Sequence, residues 1–212
     1  MTHLPKVIFI DWNKTLSNSL FWSHLSKENN HKYSKYHPKI IEVLFSTNKH
    51  LIYPWMRGEY TSKEITDIIS TDVGLSSEIL HDELSTSCRQ QSFVDFNIPD
   101  LINKIQKKDI FVVIATDNMD TFRKCTVPSM NLENIFDDIL ISHELGLLKE
   151  DHDEKSIPFF DEYLSKHDLD YSDAVLLDDC TDDTGVYDKL GLNIIQITGP
   201  EILLNSLKKY AS

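Results

Sequence analysis

The sequence predicts an α/β fold: an open, doubly wound parallel sheet covered by helices on both faces, with a helical segment inserted after the first strand. Three observations carry this expectation. Short uninterrupted apolar runs end in polar residues, helical patterns lie between the runs, and residues 17 to 95 lack strand patterning. Parallel strands are buried on both faces, so they read as continuous apolar runs and not as alternations.

The first run, Val7-Ile8-Phe9-Ile10, leads into Asp11 and is too short to span a membrane. As a buried strand it delivers Asp11 at its carboxyl end, where open α/β sheets keep their ligands. The second run, Ile110 to Ala115, precedes Thr116-Asp117-Asn118. The third, Ala174 to Leu177, precedes Asp178-Asp179. Ile139-Leu140-Ile141 and Ile194-Ile195-Gln196-Ile197 are further candidate strands. Between these runs, Ile98 to Lys108 places Leu101, Ile102 and Ile105 on one helical face, with lysines at the end that the helix dipole favours for cations. Ile157 to His167 and Tyr187 to Leu190 are also expected to be helical. Within the insertion, Ile40, Ile41, Val43, Leu44 and Phe45 form an apolar cluster. Thr61-Ser62-Lys63-Glu64 reads as a capping box opening a helix that carries Ile65, Ile68 and Ile69. Ser76-Ser77-Glu78 starts another, with Ile79, Leu80 and Leu84.

A chain of 212 residues suffices for one domain with an insertion, or for two small ones. At 41% hydrophobic and 26% charged residues the composition is that of an ordinary soluble globular protein. The net charge of −13 argues against nucleic acid or an anionic membrane as the main partner. It leaves room for an anionic substrate, because a bound divalent cation inverts the local field. Cys88, Cys125 and Cys180 are odd in number and widely spaced, which suggests reduced thiols in a cytoplasmic protein. No signal-peptide pattern and no stretch approaching 18 apolar residues is seen. The nine histidines lack HxH or HExxH spacing, so a zinc site is not expected. Nothing in the pattern sets an oligomeric state.

Four motifs follow one another in a fixed order. They are Asp11-x-Asn13-x-Thr15-Leu16 after the first strand, Thr116 closing the second, Lys149 ending Ser142-His143-Glu144-Leu145-Gly146-Leu147-Leu148-Lys149, and Asp178-Asp179 with Asp183 four residues beyond Asp179. Over nearly the whole chain this resembles the haloacid dehalogenase (HAD) superfamily, whose members are mostly phosphatases. The resemblance implies a Rossmann-like core of residues 1–16 and 96–212 and a helical cap of residues 17–95. Pro54 to Tyr60 followed by Thr61-Ser62-Lys63-Glu64 is similar to the cap phrase of the dehalogenase-like phosphatase subgroup.

The resemblance also implies a site. Asp11 attacks phosphorus, and Mg²⁺ is held by Asp11, Asp179 and the backbone carbonyl of Asn13. Lys149 neutralises the transferring group, Thr116 offers it a hydroxyl, and Asp178 and Asp183 hold the lysine or the waters of the metal. Physical chemistry agrees: an anionic ester resists a carboxylate nucleophile unless cations stand beside it, and hard oxygen ligands favour Mg²⁺. Asp182 beside Asp183 leaves the outer acid ambiguous by one position. Thr15, Lys14, Asp117 and Asn118 are candidate substrate-binding residues, although Asp117 and Asn118 also suit a turn.

Two positions depart from the family. Most HAD phosphatases carry aspartate where this chain has Asn13, and that acid protonates the leaving oxygen. An amide cannot transfer the proton, and general acid–base catalysis is typically worth about 10²–10⁴-fold. Substrates with good leaving groups, such as acyl phosphates, suffer least. Lys14 stands where glycine is common, and its ammonium is expected to point into solvent. Trp22, His24, His31, Lys32, Lys35, His37, Trp55 and Arg57 belong to the cap segment, and its Lys and His residues are expected to form a solvated face. The expected function is a metal-dependent phosphatase acting on a small phosphorylated metabolite. A degenerate HAD domain that binds a ligand or partner without turnover is the alternative. Metal-free carbon–halogen hydrolysis is a third option, against which the Asp178-Asp179 pair counts.

Overall fold

The computed structural model describes residues 4–212. Five parallel strands form one sheet: β1 (Val7–Ile10), β2 (Phe111–Thr116), β3 (Asp138–Ile141), β4 (Ala174–Asp178) and β5 (Asn193–Gln196). Their order is β3-β2-β1-β4-β5. β1 pairs with β2 through Val7↔Phe111 to Ile10↔Ile114, and with β4 through Val7↔Ala174 to Ile10↔Leu177. The chain therefore runs outward from β1 to β3 on one side, then returns to build β4 and β5 on the other. The reversal creates a crevice beyond the carboxyl ends of β1 and β4, the place where such sheets bind ligands.

All four β1 side chains are fully buried, as a strand covered on both faces requires. Ile8 and Ile10 pack with Val112 and Ile114 against two helices, α5 (Ile98–Gln106) and the C-terminal helix Pro200–Ala211. Val7 and Phe9 face the other way with Val113, Ala115 and Leu176, and meet the helix Pro158–Lys166 through Phe160 and Tyr163. Each strand thus contributes alternately to two apolar layers.

Between β1 and α5 every regular element is helical, as the sequence predicts: α1 (His37–Glu42), α2 (Ile52–Met56), α3 (Ser62–Val73) and α4 (Ser77–Arg89). Both predicted caps are present. The Thr61 hydroxyl accepts from the Glu64 N–H while the Glu64 carboxylate accepts from the Thr61 N–H, and Ser76 accepts from the Ile79 N–H. Ile65 and Ile69 are fully buried, but Ile68 is exposed, because the buried stripe of α3 follows the i, i+4 face. This insertion has an apolar core of its own, with Trp22, Trp55, Ile65, Leu80 and Leu84, completed by Met119 and Cys125 from the segment after β2. Lys32 and Lys35 are exposed, with their ammoniums over the rings of Tyr33 and Tyr36, whereas His24 is half-buried and pairs with Glu83 at 2.8 Å.

The insertion is docked on the sheet by polar contacts as well. Asp120 accepts from the Ser62 N–H at 3.0 Å and from the Ser62 hydroxyl, so a core residue caps the start of α3. The Ser142 hydroxyl donates to the Met56 carbonyl at 2.8 Å. Gly58 (φ +75°) lies so close to the His143 carbonyl that a Cβ would collide with it. The Arg57 guanidinium makes a two-pronged ion pair with Asp151. Trp12 donates to the Gln91 amide oxygen at 2.5 Å and packs edge-on against Phe122. No helix among the described residues is long and apolar enough to cross a membrane, and the three cysteines are free thiols.

Candidate active site

Asp11 follows β1 directly and its N–H donates to the Leu177 carbonyl of β4 at 2.9 Å. That bond places it beside Asp178, the last residue of β4. Lys149 arrives from a loop far away in sequence. Its ammonium donates to Asp11 Oδ1 at 2.7 Å and to Asp178 Oδ2 at 2.5 Å, with all three side chains nearly excluded from solvent. Burial opposes the charge on Lys149, but Asp11, Asp178 and Asp117 outweigh it and hold its pKa well above that of an ordinary lysine. Burial pushes the Asp11 carboxyl up to about 7, against the pull of Lys149. Burial also acts on Asp178, yet Lys149 and the Cys180 N–H keep it below the usual carboxylate range.

Three contacts fix the loop that carries Lys149. Asp117 Oδ1 accepts from the Lys149 N–H at 3.1 Å, the Tyr187 hydroxyl donates to the Lys149 carbonyl at 2.6 Å, and Asp151 accepts from the Leu148 N–H at 2.7 Å. Burial raises the pKa of Asp117. Asp151 and Tyr187 escape sequence reasoning because their role depends on which distant segments the fold brings together. Asp151 also receives Arg57, so one carboxylate joins the insertion to the lysine loop.

A cavity of about 400 Å³ opens at this point. It is lined by Asp11, Asn13, Asp117, Lys149, Asp178, Asp179 and Asp183, together with Glu150, His152, Cys180, Asp182 and Tyr187 among others. The predicted residues Thr15, Lys14, Thr116 and Asn118 stand outside that lining. Thr116 is buried at the end of β2, where its hydroxyl accepts from the Asn118 amide at 3.5 Å. Asn118 is buried too, and its side-chain oxygen accepts from the Met119 N–H, so it organises the turn after β2. The Thr15 hydroxyl is buried with no hydrogen-bond partner among the described residues. Asp183 accepts from the Thr181 hydroxyl at 2.5 Å, while Asp182 accepts from the Asp188 N–H at 2.9 Å. Both acids are thus used within their own loop, and the Lys149 ammonium is held by Asp11 and Asp178 instead.

Lys14 is 73% exposed, and at this solvent-facing position its ammonium also finds a partner, 3.2 Å away at Asp179 Oδ2. The backbone gives the reason. Lys14 has φ +56°, the left-handed conformation that glycine adopts most easily, and its N–H closes a tight loop on the Ser17 carbonyl at 2.7 Å.

The donor set suits a hard divalent cation. Asp11 and Asp179 offer carboxylate oxygens from neighbouring strand ends, and among the described residues the Asn13 carbonyl accepts no hydrogen bond. Asp178, Asp179 and Cys180 bring ligand atoms within 4.8 Å of one another. So many carboxylates around one lysine repel an anion unless a cation joins them, and oxygen-rich sites of this kind take Mg²⁺.

No protein-family model and no curated protein sequence matches the chain. Solved structures do. A HAD family enzyme, BT-2542 of Bacteroides thetaiotaomicron, superposes with a TM-score of 0.67 at 16% identity, covering 93% of this chain and 95% of that one. A predicted HAD-like family hydrolase from Porphyromonas gingivalis gives 0.71 at 12% identity, with 98% of each chain covered. The L-2-haloacid dehalogenase of Xanthobacter autotrophicus, with chloropropionic acid covalently bound, gives 0.63 at 12% identity, covering 97% and 83%. The fold is that of the HAD enzymes. BT-2542 has also been solved in complex with magnesium and inorganic phosphate.

Proposed function

We propose that this protein is a Mg²⁺-dependent HAD hydrolase that removes the phosphoryl group from a small phosphorylated metabolite, with Asp11 as nucleophile. The observation that carries the reading is the convergence of Asp11, Lys149, Asp178 and Asp179, drawn from three separate segments, on the switch point of the sheet. The magnesium and phosphate in the structurally similar BT-2542 support the same chemistry. Residues 17–95 would serve as the cap that closes over the substrate and selects it.

Asp11, Asp179 and the Asn13 carbonyl would hold Mg²⁺, which when bound neutralises phosphoryl oxygens as a Lewis acid. An ionised oxygen of Asp11 attacks phosphorus while the bond to the leaving oxygen breaks, leaving an aspartyl-phosphate. Water then attacks that phosphorus, the P–O bond to Asp11 breaks, and inorganic phosphate leaves with the protons of the water, restoring the carboxylate. Throughout, the Lys149 ammonium spreads positive charge over Asp11 and the transferring group, and Asp178 fixes its position. Asn13 can donate a hydrogen bond to the leaving oxygen but no proton. Acyl phosphates, whose leaving carboxylate needs none, are therefore the favoured substrate class.

The test is phosphate release from acetyl phosphate with and without Mg²⁺. Wild type is expected to turn over only with the metal, and Asp11→Asn to lose on the order of 10³-fold or more. Equal rates for both proteins would overturn the catalytic assignment. Chloride release from a haloacid in the presence of a chelator would move the chain to dehalogenase chemistry. Asn13 favours one second reading, a HAD domain that binds a phosphorylated ligand without turning it over.

A further inference from the structure

The two aspartates at the end of β4 are satisfied by different lysines. Asp178 takes Lys149, which comes from the distant loop, at 2.5 Å. Asp179 takes Lys14, which comes from the same loop as the nucleophile, at 3.2 Å. Lys14 reaches it from a left-handed residue (φ +56°) that a glycine would occupy with less strain. A lysine at that position spends conformational energy and places a mobile cation on a carboxylate that faces the acidic cavity.

We propose that Lys14 is a tethered cation that competes with Mg²⁺ for Asp179 and so sets the metal affinity of the site. The inference rests on the metal-dependent reading above. A divalent ion seated on Asp179 must displace the ammonium from Oδ2 or share the carboxylate with it, and either way it meets a like charge on the nucleophile loop. The lysine is largely exposed (73%) and Asp179 partly so (25%), so water screens the competition. Lys14 therefore tunes binding without blocking it. Lys149 does not play this part, because its ammonium is buried between Asp11 and Asp178 and makes no ion pair with Asp179.

Calorimetric titration of Mg²⁺ into metal-free protein tests this without any substrate. Lys14→Gly suits the left-handed backbone and removes the cation. Lys14→Asn removes it while keeping a side chain that tolerates the same conformation. Both are expected to bind Mg²⁺ roughly fivefold more tightly than wild type, the scale of an exposed ion pair. Lys14→Arg, which retains the charge, is expected to bind no more tightly than wild type. Equal or weaker binding by the two neutral variants would overturn the inference while leaving the metal site standing. Tightening by Lys14→Arg to the level of Lys14→Gly would overturn it as well, since charge would not be the cause. Absence of Mg²⁺ binding by wild type and all three variants would remove the metal-dependent reading itself, and this inference with it.

Discussion

The Asn13 carboxamide lines the same cavity as Asp11 and matches an aspartate in shape, but it titrates nowhere near neutral pH. Its backbone carbonyl accepts no hydrogen bond among the described residues, so on the proposed function Asn13 lacks the proton donor but leaves Asp11 and the metal ligands in place. Asn13→Asp is therefore expected to raise kcat/KM for aryl and alkyl phosphates by about 10²–10⁴-fold, and that for acetyl phosphate far less. The check is a comparison of kcat/KM, which reports formation of the aspartyl-phosphate, on the two substrate classes. No gain on either, together with no heat on Mg²⁺ titration, would favour the binding-module reading. At this scale the sequence was informative where one residue carries one role. Asp11, Asp178 and Asp179 were legible because apolar strand runs end in them, and Lys149 because it closes the Glu144 to Lys149 phrase. Asp151, Tyr187 and the destination of Lys14 were not, since each is defined by a partner between 38 and 165 positions away, Asp151 through Arg57, Tyr187 through Lys149 and Lys14 through Asp179.

Among the elements, α3 shows how the insertion is tied to the sheet. Its first turn is capped twice, locally by Thr61 and Glu64 and from the core by Asp120. Asp120 is buried, which opposes its charge, but the bonds from Ser62 and Lys124 (2.9 Å) win and hold its pKa below the ordinary carboxylate range. A carboxyl whose pKa is lower folded than unfolded stabilises the fold above its unfolded value, and that stability is lost as pH falls toward the folded value. Asp120→Ala is expected to cost about 1–3 kcal/mol at neutral pH, the range for stripping a charged partner from buried donors. The gap from wild type should narrow as pH drops below about 4. Urea unfolding of both proteins at several pH values measures it, and a gap independent of pH would refute the role of charge. Sequence patterning anticipated α3, α4, α5 and all five strands because their apolar spacing is strong. It passed over the C-terminal helix Pro200–Ala211, although Leu203, Leu207 and Tyr210 form a buried stripe, because lysines and a serine interrupt the run.

For the whole molecule, strand order decides where the acidic cluster gathers. The reversal between β1 and β4 brings residue 11 beside residue 178, and a lysine from the intervening chain completes the cluster. The α/β class was readable from composition and runs, because a sheet buried on both faces leaves little freedom in its sequence. The contact surface between insertion and core was not. It depends on Gly58 meeting a backbone carbonyl, and on Ser142 and Arg57 finding partners across the cleft. On the proposed function, Asn13 cannot take a proton from the attacking water, so hydrolysis of the aspartyl-phosphate should be slow relative to its formation from acetyl phosphate, whose leaving carboxylate needs no proton. The covalent species should then accumulate. The decisive measurement is acid quenching of wild-type protein mixed with acetyl phosphate and Mg²⁺, followed by peptide mass spectrometry. A phosphoryl group on the peptide that contains Asp11, absent from Asp11→Asn, is the expected result. Phosphate release at an undiminished rate by Asp11→Asn, with no modified peptide in wild type, would contradict Asp11 as the nucleophile.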